Sequence, residues 1–172
     1  MRVLDTPGLV KPFGMCLSPD ETTLAVAYCG SDCVKLVRVD GSEAPRTIGE
    51  EGAGDGQFNF PCDVRFTPDG QQLVVADFNN NRVQVLSTDG TFVRNMPLEE
   101  DVYAVSVDVA GNIIVATNTG LVNVFSPDLS TLLHDRLGGL ELGEAAFCGL
   151  AIDPSSGRIA MGDLSEGRVH LL

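Results

Sequence analysis

Four stretches of this chain resemble one another, and this internal repetition constrains the fold more than any other feature. The second copy is the clearest and reads FPCDVRFTPDGQQLVVADFNNNRVQVLSTDGTFVRNM. When Tyr28, Asp77, Thr117 and Asp163 are taken as equivalent, the copies recur at spacings of 49, 40 and 46 residues. Repeats of about 40 to 50 residues with strand-like content have the length of propeller blades. The spacing therefore predicts an all-β fold, a β-propeller in which each copy forms one blade.

Apolar and polar residues alternate within each copy, as they do in β-strands. Val83 and Val85, for example, alternate with Arg82 and Gln84, a period of two that favours strands over a helix. Gly, Pro, Asp and Asn separate the runs and favour tight turns. In the second copy, these patterns predict strands a to d at about residues 63–67, 73–77, 82–87 and 91–96.

The repeat boundaries predict one propeller domain over residues 1–172, with blades at about 12–48, 60–97, 102–137 and 147–172. The fourth copy contains no strand d, and residues 2–5 (RVLD) form a short alternating segment that could supply it. We expect this segment to complete the last blade and to cover its exposed edge. Two architectures stay open: a small closed ring of four blades, or part of a larger propeller. Self-association is expected if the ring is incomplete.

The charge of the chain argues against nucleic-acid binding. The chain carries 24 acidic and 11 basic residues, for a net charge of −13, and its basic residues are dispersed. Proteins that bind phosphate backbones cluster Lys and Arg on one surface. Two interpretations of the acidity stay open, namely solubility alone and an acidic surface for a basic partner.

The cysteines and the apolar runs favour an intracellular, cytoplasmic protein. No apolar run approaches the roughly 18 residues of a membrane span, and the first residues, MRVLDTPGLVKP, lack the apolar core of a secretory leader. An odd number of cysteines without regular pairing is unlike a disulfide framework. We therefore expect reduced thiols and neither a metal site nor a cofactor. The cysteines are Cys16, Cys29, Cys33, Cys62 and Cys148.

Two segments of the second copy resemble the NHL repeat family. Residues 49–61 (GEEGAGDGQFNFP) are similar to the Gly-rich loop that precedes strand a in this family, and residues 75–85 (VADFNNNRVQV) are similar to its b–c hairpin. The fourth copy keeps the Asp and the Arg of this hairpin, whereas the first and third copies depart from both. The resemblance implies a propeller fold and a role in binding rather than in catalysis.

An Asp and an Arg occur together at a spacing of five residues in two copies. Asp77 pairs with Arg82 in this pattern, and Asp163 pairs with Arg168. The two copies that lack the Asp also lack the Arg, which predicts an ion pair that bridges the b–c hairpin and fixes its turn. A catalytic role for the carboxylates stays open as the alternative.

The residues just before strand a are expected to surround one mouth of the propeller channel. Because strand a lines the channel, these residues would form a ring of apolar groups, for which a binding site and packing between blades are both open. The acidic loop at residues 50–55 would lie on the same face and could contact a basic partner or simply be solvated. The ring residues are Phe13, Cys62, Tyr103 and Cys148, and the acidic loop residues are Glu50, Glu51 and Asp55.

The resemblance implies a binding scaffold that presents a loop-rich face to a protein or peptide. Family propellers of this kind serve as substrate-recognition modules in ubiquitin-ligase-type assemblies, and a similar adaptor role is implied here. The alternative is a metal-assisted propeller enzyme of the lyase or lactonase type. Its candidate channel carboxylates are Asp63 and Asp108, while His134 and His170 occupy non-equivalent strands.

Overall fold

The computed structural model describes residues 10–134, 147–153, 155–163 and 167–171 of the chain. In this part the chain forms β-strands and one three-residue 3-10 helix, Phe78–Asn80. The strands are β1 (Pro12–Leu17), β2 (Thr23–Tyr28), β3 (Cys33–Arg38), β4 (Arg46–Ile48), β5 (Pro61–Phe66), β6 (Gln72–Asp77), β7 (Arg82–Ser87), β8 (Phe92–Pro97), β9 (Val102–Val107), β10 (Ile113–Thr117), β11 (Val122–Phe125), β12 (Leu132–His134), β13 (Phe147–Ile152), β14 (Ile159–Asp163) and β15 (Arg168–Leu171).

Consecutive strands pair antiparallel into four separate sheets. The sheets are β1–β4, β5–β8, β9–β12 and β13–β15, each in simple sequence order. The first strand of each sheet is innermost, and β1 packs on β5, β5 on β9 and β9 on β13. The sheets lie in a ring around a common axis, so the predicted four-bladed β-propeller is confirmed. Residues 2–5, expected to complete blade 4, lie outside the described residues.

The a–b turns are closed by a recurring contact between a hydroxyl and a carboxylate. Ser18 Oγ donates to Asp20 Oδ1 at 2.5 Å, and Thr67 Oγ1 donates to Asp69 Oδ1 at 2.6 Å. These hydrogen bonds stabilise the ionised carboxylates, and they hold the pKa of Asp20 and of Asp69 below the ordinary value. In the second blade, Gly70 follows with a φ of +71°, a conformation that favours glycine. The Pro-Asp-Gly sequence thus sets this turn by local chemistry.

The core consists of apolar layers between consecutive blades. On β6, Leu73 and Val75 pack in the layer shared with blade 1, while Val74 and Ala76 pack in the layer shared with blade 3. A third layer joins blades 3 and 4. Strand β6 is therefore buried on both faces, which explains why it reads as a nearly continuous apolar run.

Strand a of blade 2 begins two residues earlier than the sequence predicts. Pro61 already pairs with Asp77, and the register shifts between Pro61 and Asp63. An irregularity of this kind adds a residue to one strand and turns its backbone. The alternation of apolar and polar residues does not reveal such an extra residue. The predicted start near residue 63 is therefore wrong, because β5 begins at Pro61.

Candidate functional site

The loops that connect consecutive blades and the b–c turns lie at the same end of the channel, which we call the mouth face. In blade 2 the face includes the Gly-rich loop, residues 49–60, and the 3-10 turn Phe78–Asn80. The backbone N–H of Asn79 donates to Asn59 O at 3.1 Å, which ties the turn to the loop. The mouth face is thus one connected surface.

A buried ion pair anchors the Gly-rich loop to the blade. Arg82 and Asp77 are cross-strand partners at the ends of β7 and β6, and Arg82 Nε donates to Asp77 Oδ2 at 2.7 Å. The remaining guanidinium nitrogens donate to loop carbonyls: Nη1 to Ala53 at 2.9 Å, and Nη2 to Gly54 at 2.9 Å and to Gln57 at 2.8 Å. The structure therefore brings Asp77 and Arg82 together, and the pair holds both the hairpin and the loop.

A fully buried glutamine, which the sequence analysis missed, completes this network. Gln84 Nε2 donates to Gln57 O at 2.6 Å and to Asp77 Oδ2 at 3.2 Å, and Gln84 Oε1 accepts from Gly56 N at 3.0 Å. Asp77 Oδ1 accepts from Asn59 N at 2.8 Å. Buried polar networks that are fully satisfied rigidify their surroundings. The Gly-rich loop is therefore held in one conformation.

Blade 4 carries the same residues in a different arrangement. Asp163 and Arg168 are cross-strand partners in β14 and β15, as predicted from their spacing, but Arg168 is exposed while Arg82 is buried. The counterpart of Gln84 is His170, whose Nε2 lies 3.2 Å from Asp163 Oδ2. The predicted structural role of the Asp163 and Arg168 pair stays a prediction.

A cavity of about 250 Å³ opens at the mouth of the channel, where the innermost strands of all four blades converge. Phe13, Cys62 and Tyr103 line it together, and blade 4 contributes Gly149. The side chain of the fourth predicted residue, Cys148, lies outside the described residues. The structure thus brings three ring residues to one cavity, while their role in binding stays a prediction.

An ion pair that also lines this cavity connects the blades across the channel. Asp63 Oδ1 accepts from Arg65 Nη1 at 2.6 Å, and Asp63 Oδ2 accepts from Val105 N of blade 3 at 3.2 Å. Arg65 also donates to Met15 O of blade 1 at 3.4 Å and to Leu150 O of blade 4 at 3.1 Å. Burial raises the pKa of Asp63 to about 6, although Arg65 opposes the shift.

Burial also suppresses the reactivity of the cysteine at the mouth. It raises the pKa of Cys62 to about 12, and the nearby Asp63 carboxylate acts in the same direction. Since the thiolate is the nucleophilic form of cysteine, the thiol is protonated at neutral pH. Cys62 therefore lines the cavity as an apolar side chain and not as a nucleophile.

Three aromatic side chains form a row across the mouth face. The ring centroids of Phe60 and Phe78 lie 5.9 Å apart, and those of Phe78 and Tyr103 lie 5.0 Å apart in an edge-on arrangement. All three are half-buried. Phe60 and Phe78 were not predicted from the sequence, although each stands directly beside the mouth-side end of a strand, before β5 and after β6. That position is the signal that could have identified them.

Acidic side chains border the aromatic row on two loops. Glu50, Glu51 and Asp55 are exposed on the Gly-rich loop, as expected from the sequence. The next loop between blades carries a second acidic run at residues 99–101 (EED), which the sequence analysis did not single out. Thr119 Oγ1 donates to Glu100 Oε2 at 2.6 Å, which ties this loop to the b–c turn of blade 3. The mouth face therefore combines half-buried aromatic rings with exposed carboxylates.

A larger cavity of about 570 Å³ lies at the opposite end, between the a–b and c–d turns of blades 1 and 2. Arg38 and Arg46 line it together with hydroxyl and carboxylate side chains. Arg38 Nη1 donates to Thr22 Oγ1 at 2.9 Å, and Arg46 donates to Thr88 O. These guanidinium groups are thus already engaged by the protein itself, and no predicted site residue lies here.

The candidate carboxylates and histidines of the enzyme alternative do not converge. Asp108 accepts from the backbone N–H groups of Ala110 and Asn112 in its own a–b turn, away from the mouth. His134 lies in β12 and His170 in β15, on different blades. Within the described ranges, no group of three His, Cys, Asp or Glu side chains is arranged to hold a metal ion. The same ranges contain no helix long and apolar enough to span a membrane.

Comparison with known proteins agrees with the architecture. The NHL repeat family model matches residues 58–86, which cover most of blade 2. A solved chain of Kuenenia stuttgartiensis hydrazine synthase is similar in fold, with a TM-score of 0.70 and 15% sequence identity over 98% of this chain. The match covers 51% of that chain, so this protein spans about half its length. The family match over residues 58–86 and the four sheets around one axis are consistent with an NHL-repeat β-propeller.

Proposed function

We propose that this protein is a non-catalytic binding module whose mouth face holds a basic peptide segment of a protein partner. Propellers with NHL repeats commonly act as protein-interaction scaffolds. The observation that carries the finer proposal is the aromatic row of Phe60, Phe78 and Tyr103, bordered by exposed carboxylates at the channel mouth.

The chemistry of the mouth face suits lysine and arginine side chains. Aromatic rings attract cations through their faces, with energies of about 0.5–2 kcal/mol each. Carboxylates on the rim attract the same groups and speed the encounter with them. A partner with several basic residues would therefore gain binding energy from both the rings and the carboxylates. The methylene groups of its lysine and arginine side chains would cover the half-buried rings.

The rigidity of the Gly-rich loop favours tight binding by this face. The buried side chains of Arg82 and Gln84 hold the loop through hydrogen bonds before any partner arrives. A loop that is already ordered loses little conformational entropy when it binds. The peptide therefore meets a loop whose backbone, which carries Glu50, Glu51 and Asp55, is already ordered.

The family resemblance adds a biological setting to this proposal. An adaptor in a ubiquitin-ligase-type assembly would use the mouth face to hold the substrate, while another module would supply the transfer chemistry. The proposal includes an intracellular location, which the described free thiols support. These thiols are Cys16, Cys29, Cys33 and Cys62.

The test is a binding titration with two synthetic peptides, a lysine-rich peptide and its counterpart with glutamate at every lysine position. We expect the wild-type protein to bind only the lysine-rich peptide, more weakly as salt concentration rises. Phe78→Ala, and Glu50→Gln with Glu51→Gln, should each raise the Kd at least about threefold, since each removes one part of the site.

A matched control separates a local site from the overall negative charge. Glu21 and Glu43 are exposed at the opposite end of the propeller, and Glu21→Gln with Glu43→Gln removes the same charge as the double substitution on the mouth face. The control should leave the Kd within about twofold of wild type. Equal weakening by both double variants, or equal binding of both peptides, would reject the proposed site.

A further inference from the structure

Phe60, the first ring of the aromatic row, has a backbone conformation that bulky residues rarely adopt. Its φ is +58°, in the left-handed region where a side chain crowds its own backbone. Pro61 follows it, and a residue before proline normally prefers an extended conformation. Strained residues of this kind concentrate at binding and active sites. The backbone thus marks Phe60 as a candidate contact residue on grounds other than its ring.

The conformation belongs to the position at which the chain enters strand a. In blade 1 the same position is occupied by Lys11, which precedes Pro12 and also has a φ of 58°. The registers of β1 on β2 and of β5 on β6 make the two positions equivalent. Lys11 is exposed, whereas Phe60 is half-buried. The position therefore accepts a solvated side chain, and entry into the blade does not itself require an aromatic ring.

The b–c turn of blade 1 holds the backbone of Phe60 in place. Asp32 Oδ1 accepts a hydrogen bond from Phe60 N at 2.7 Å, across the boundary between blades 1 and 2. Asp32 itself has a φ of 48°, which Asp tolerates better than most residues. The neighbouring N–H group, that of Asn59, donates to Asp77 Oδ1 at 2.8 Å. Carboxylates from two blades therefore fix consecutive peptide groups, and together they fix the direction in which the Phe60 side chain leaves the backbone.

The boundary between blades 2 and 3 repeats this arrangement with different residues. Asn81 is the counterpart of Asp32 and has a φ of 50°. Its side-chain amide donates to Asp101 Oδ1 at 2.8 Å, and Asp101 directly precedes β9 just as Phe60 precedes β5. A contact to the entry residue is thus a repeated feature of these boundaries. The feature particular to blade 2 is the aromatic ring that the contact holds.

The Phe60 ring stands at one end of the aromatic row. Its centroid lies 5.9 Å from that of Phe78, and the two ring planes meet at 57°. Phe78 also contacts Tyr103 and so lies between two rings. Because Phe60 is only half-buried, part of its side chain is open to a side chain of the peptide.

We propose that Phe60 gives the mouth face a preference for arginine over lysine, and that Asp32 is the positioning residue that aims its ring. The inference rests on the proposed function, since the basic peptide is what the ring would contact. A planar guanidinium group stacks on aromatic faces and pairs with carboxylates through two parallel hydrogen bonds, whereas an ammonium group is compact and strongly hydrated. Half-buried rings bordered by exposed carboxylates therefore suit arginine better. Asp32 acts through its acceptor oxygen and not through its charge.

Titration with an arginine-rich peptide, matched in length and charge to the lysine-rich peptide, tests the role of Phe60. Wild type should bind the arginine-rich peptide at least about threefold more tightly. Phe60→Asn removes the ring but keeps a residue that tolerates a positive φ, so this preference should disappear. Lys11→Asn, at the equivalent position of blade 1, is the matched control and should leave the preference unchanged. Equal binding of both peptides by wild type would overturn this inference and leave the proposed function standing, whereas binding of neither would overturn both.

Substitutions of Asp32 test the positioning separately. Asp32→Asn keeps an oxygen acceptor for Phe60 N and should preserve the preference for arginine. Asp32→Gly suits the positive φ but removes the acceptor, so it should reduce the preference by at least about half, because a ring that is no longer held loses entropy on binding. In the Phe60→Asn background, Asp32→Gly should not change the preference further. Equal effects of Asp32→Asn and Asp32→Gly, or an effect that persists without the ring, would overturn the positioning role. Melting curves would verify that each variant is folded at the assay temperature.

Discussion

Replacement of Arg82 by alanine tests the network that holds the mouth face. The change leaves the fully buried Asp77 carboxylate with three donors, from Asn59, Asn80 and Gln84, and without its cation. It also removes the donors to the loop carbonyls of Ala53, Gly54 and Gln57. Loss of one partner of a buried pair costs about 3–5 kcal/mol, a large fraction of the roughly 5–15 kcal/mol by which domains are stable.

Thermal and denaturant unfolding would measure this cost. Since about 1 kcal/mol shifts the melting temperature of a chain of this size by about 2–4 °C, we expect Arg82→Ala to lower it by about 6–20 °C. Arg168→Ala is the matched control, because Arg168 occupies the same position in blade 4 but is exposed. Its replacement should cost less than about 1 kcal/mol. A cost below about 1 kcal/mol for Arg82→Ala, or equal costs for both, would refute the reasoning.

Three further predictions follow from single positions. Burial raises the pKa of Asp63 from 3.8 to about 6. Between these two pH values, Asp63 is therefore protonated in the native state and ionised in the unfolded state. Wild type should therefore lose stability relative to Asp63→Asn as pH rises from about 4 to about 6, and parallel pH profiles would contradict this. Gly14→Ala should cost about 1–3 kcal/mol because its Cβ would meet the blade 2 backbone, whereas Gly149→Ala should cost well under half as much in the same melting assay. Asn81 has a φ of 50°, so Asn81→Val should destabilise by about 1–2 kcal/mol and Asn81→Gly by much less, a ranking that chemical denaturation would check.

The blades could be predicted from sequence because each strand and turn depends on local chemistry. The alternation from Arg82 to Ser87 predicts β7 with both of its observed ends. Asp69 and Gly70 predict the a–b turn of the same blade. The Asp69 carboxylate accepts a hydrogen bond from the backbone N–H of Gln71, and Gly70 takes a positive φ. The alternation pattern gave the wrong start for β5, because the register between β5 and β6 is irregular there and depends on pairing between the two strands.

The mouth face was only partly predictable, since its geometry depends on contacts between distant residues. The alignment of copies placed Phe13, Cys62 and Tyr103 around the channel, and these residues do line one cavity. Arg65 was overlooked because a basic residue on an alternating strand usually faces the solvent outside the protein. On the innermost strand of a blade, the same residue faces the channel instead. The Phe78 contact with Tyr103 joins residues of different blades, and no local pattern encodes it.

Hydrogen exchange of the protein with and without the lysine-rich peptide tests the central claim most directly, because it reports which surface the peptide covers. We expect added protection in residues 49–60 and 98–104, on the mouth face, and none in the a–b turns at residues 18–22 and 67–72. Glu50→Gln with Glu51→Gln should reduce this protection at equal peptide concentration. Protection confined to the a–b turns, or no protection at saturating peptide, would contradict the account.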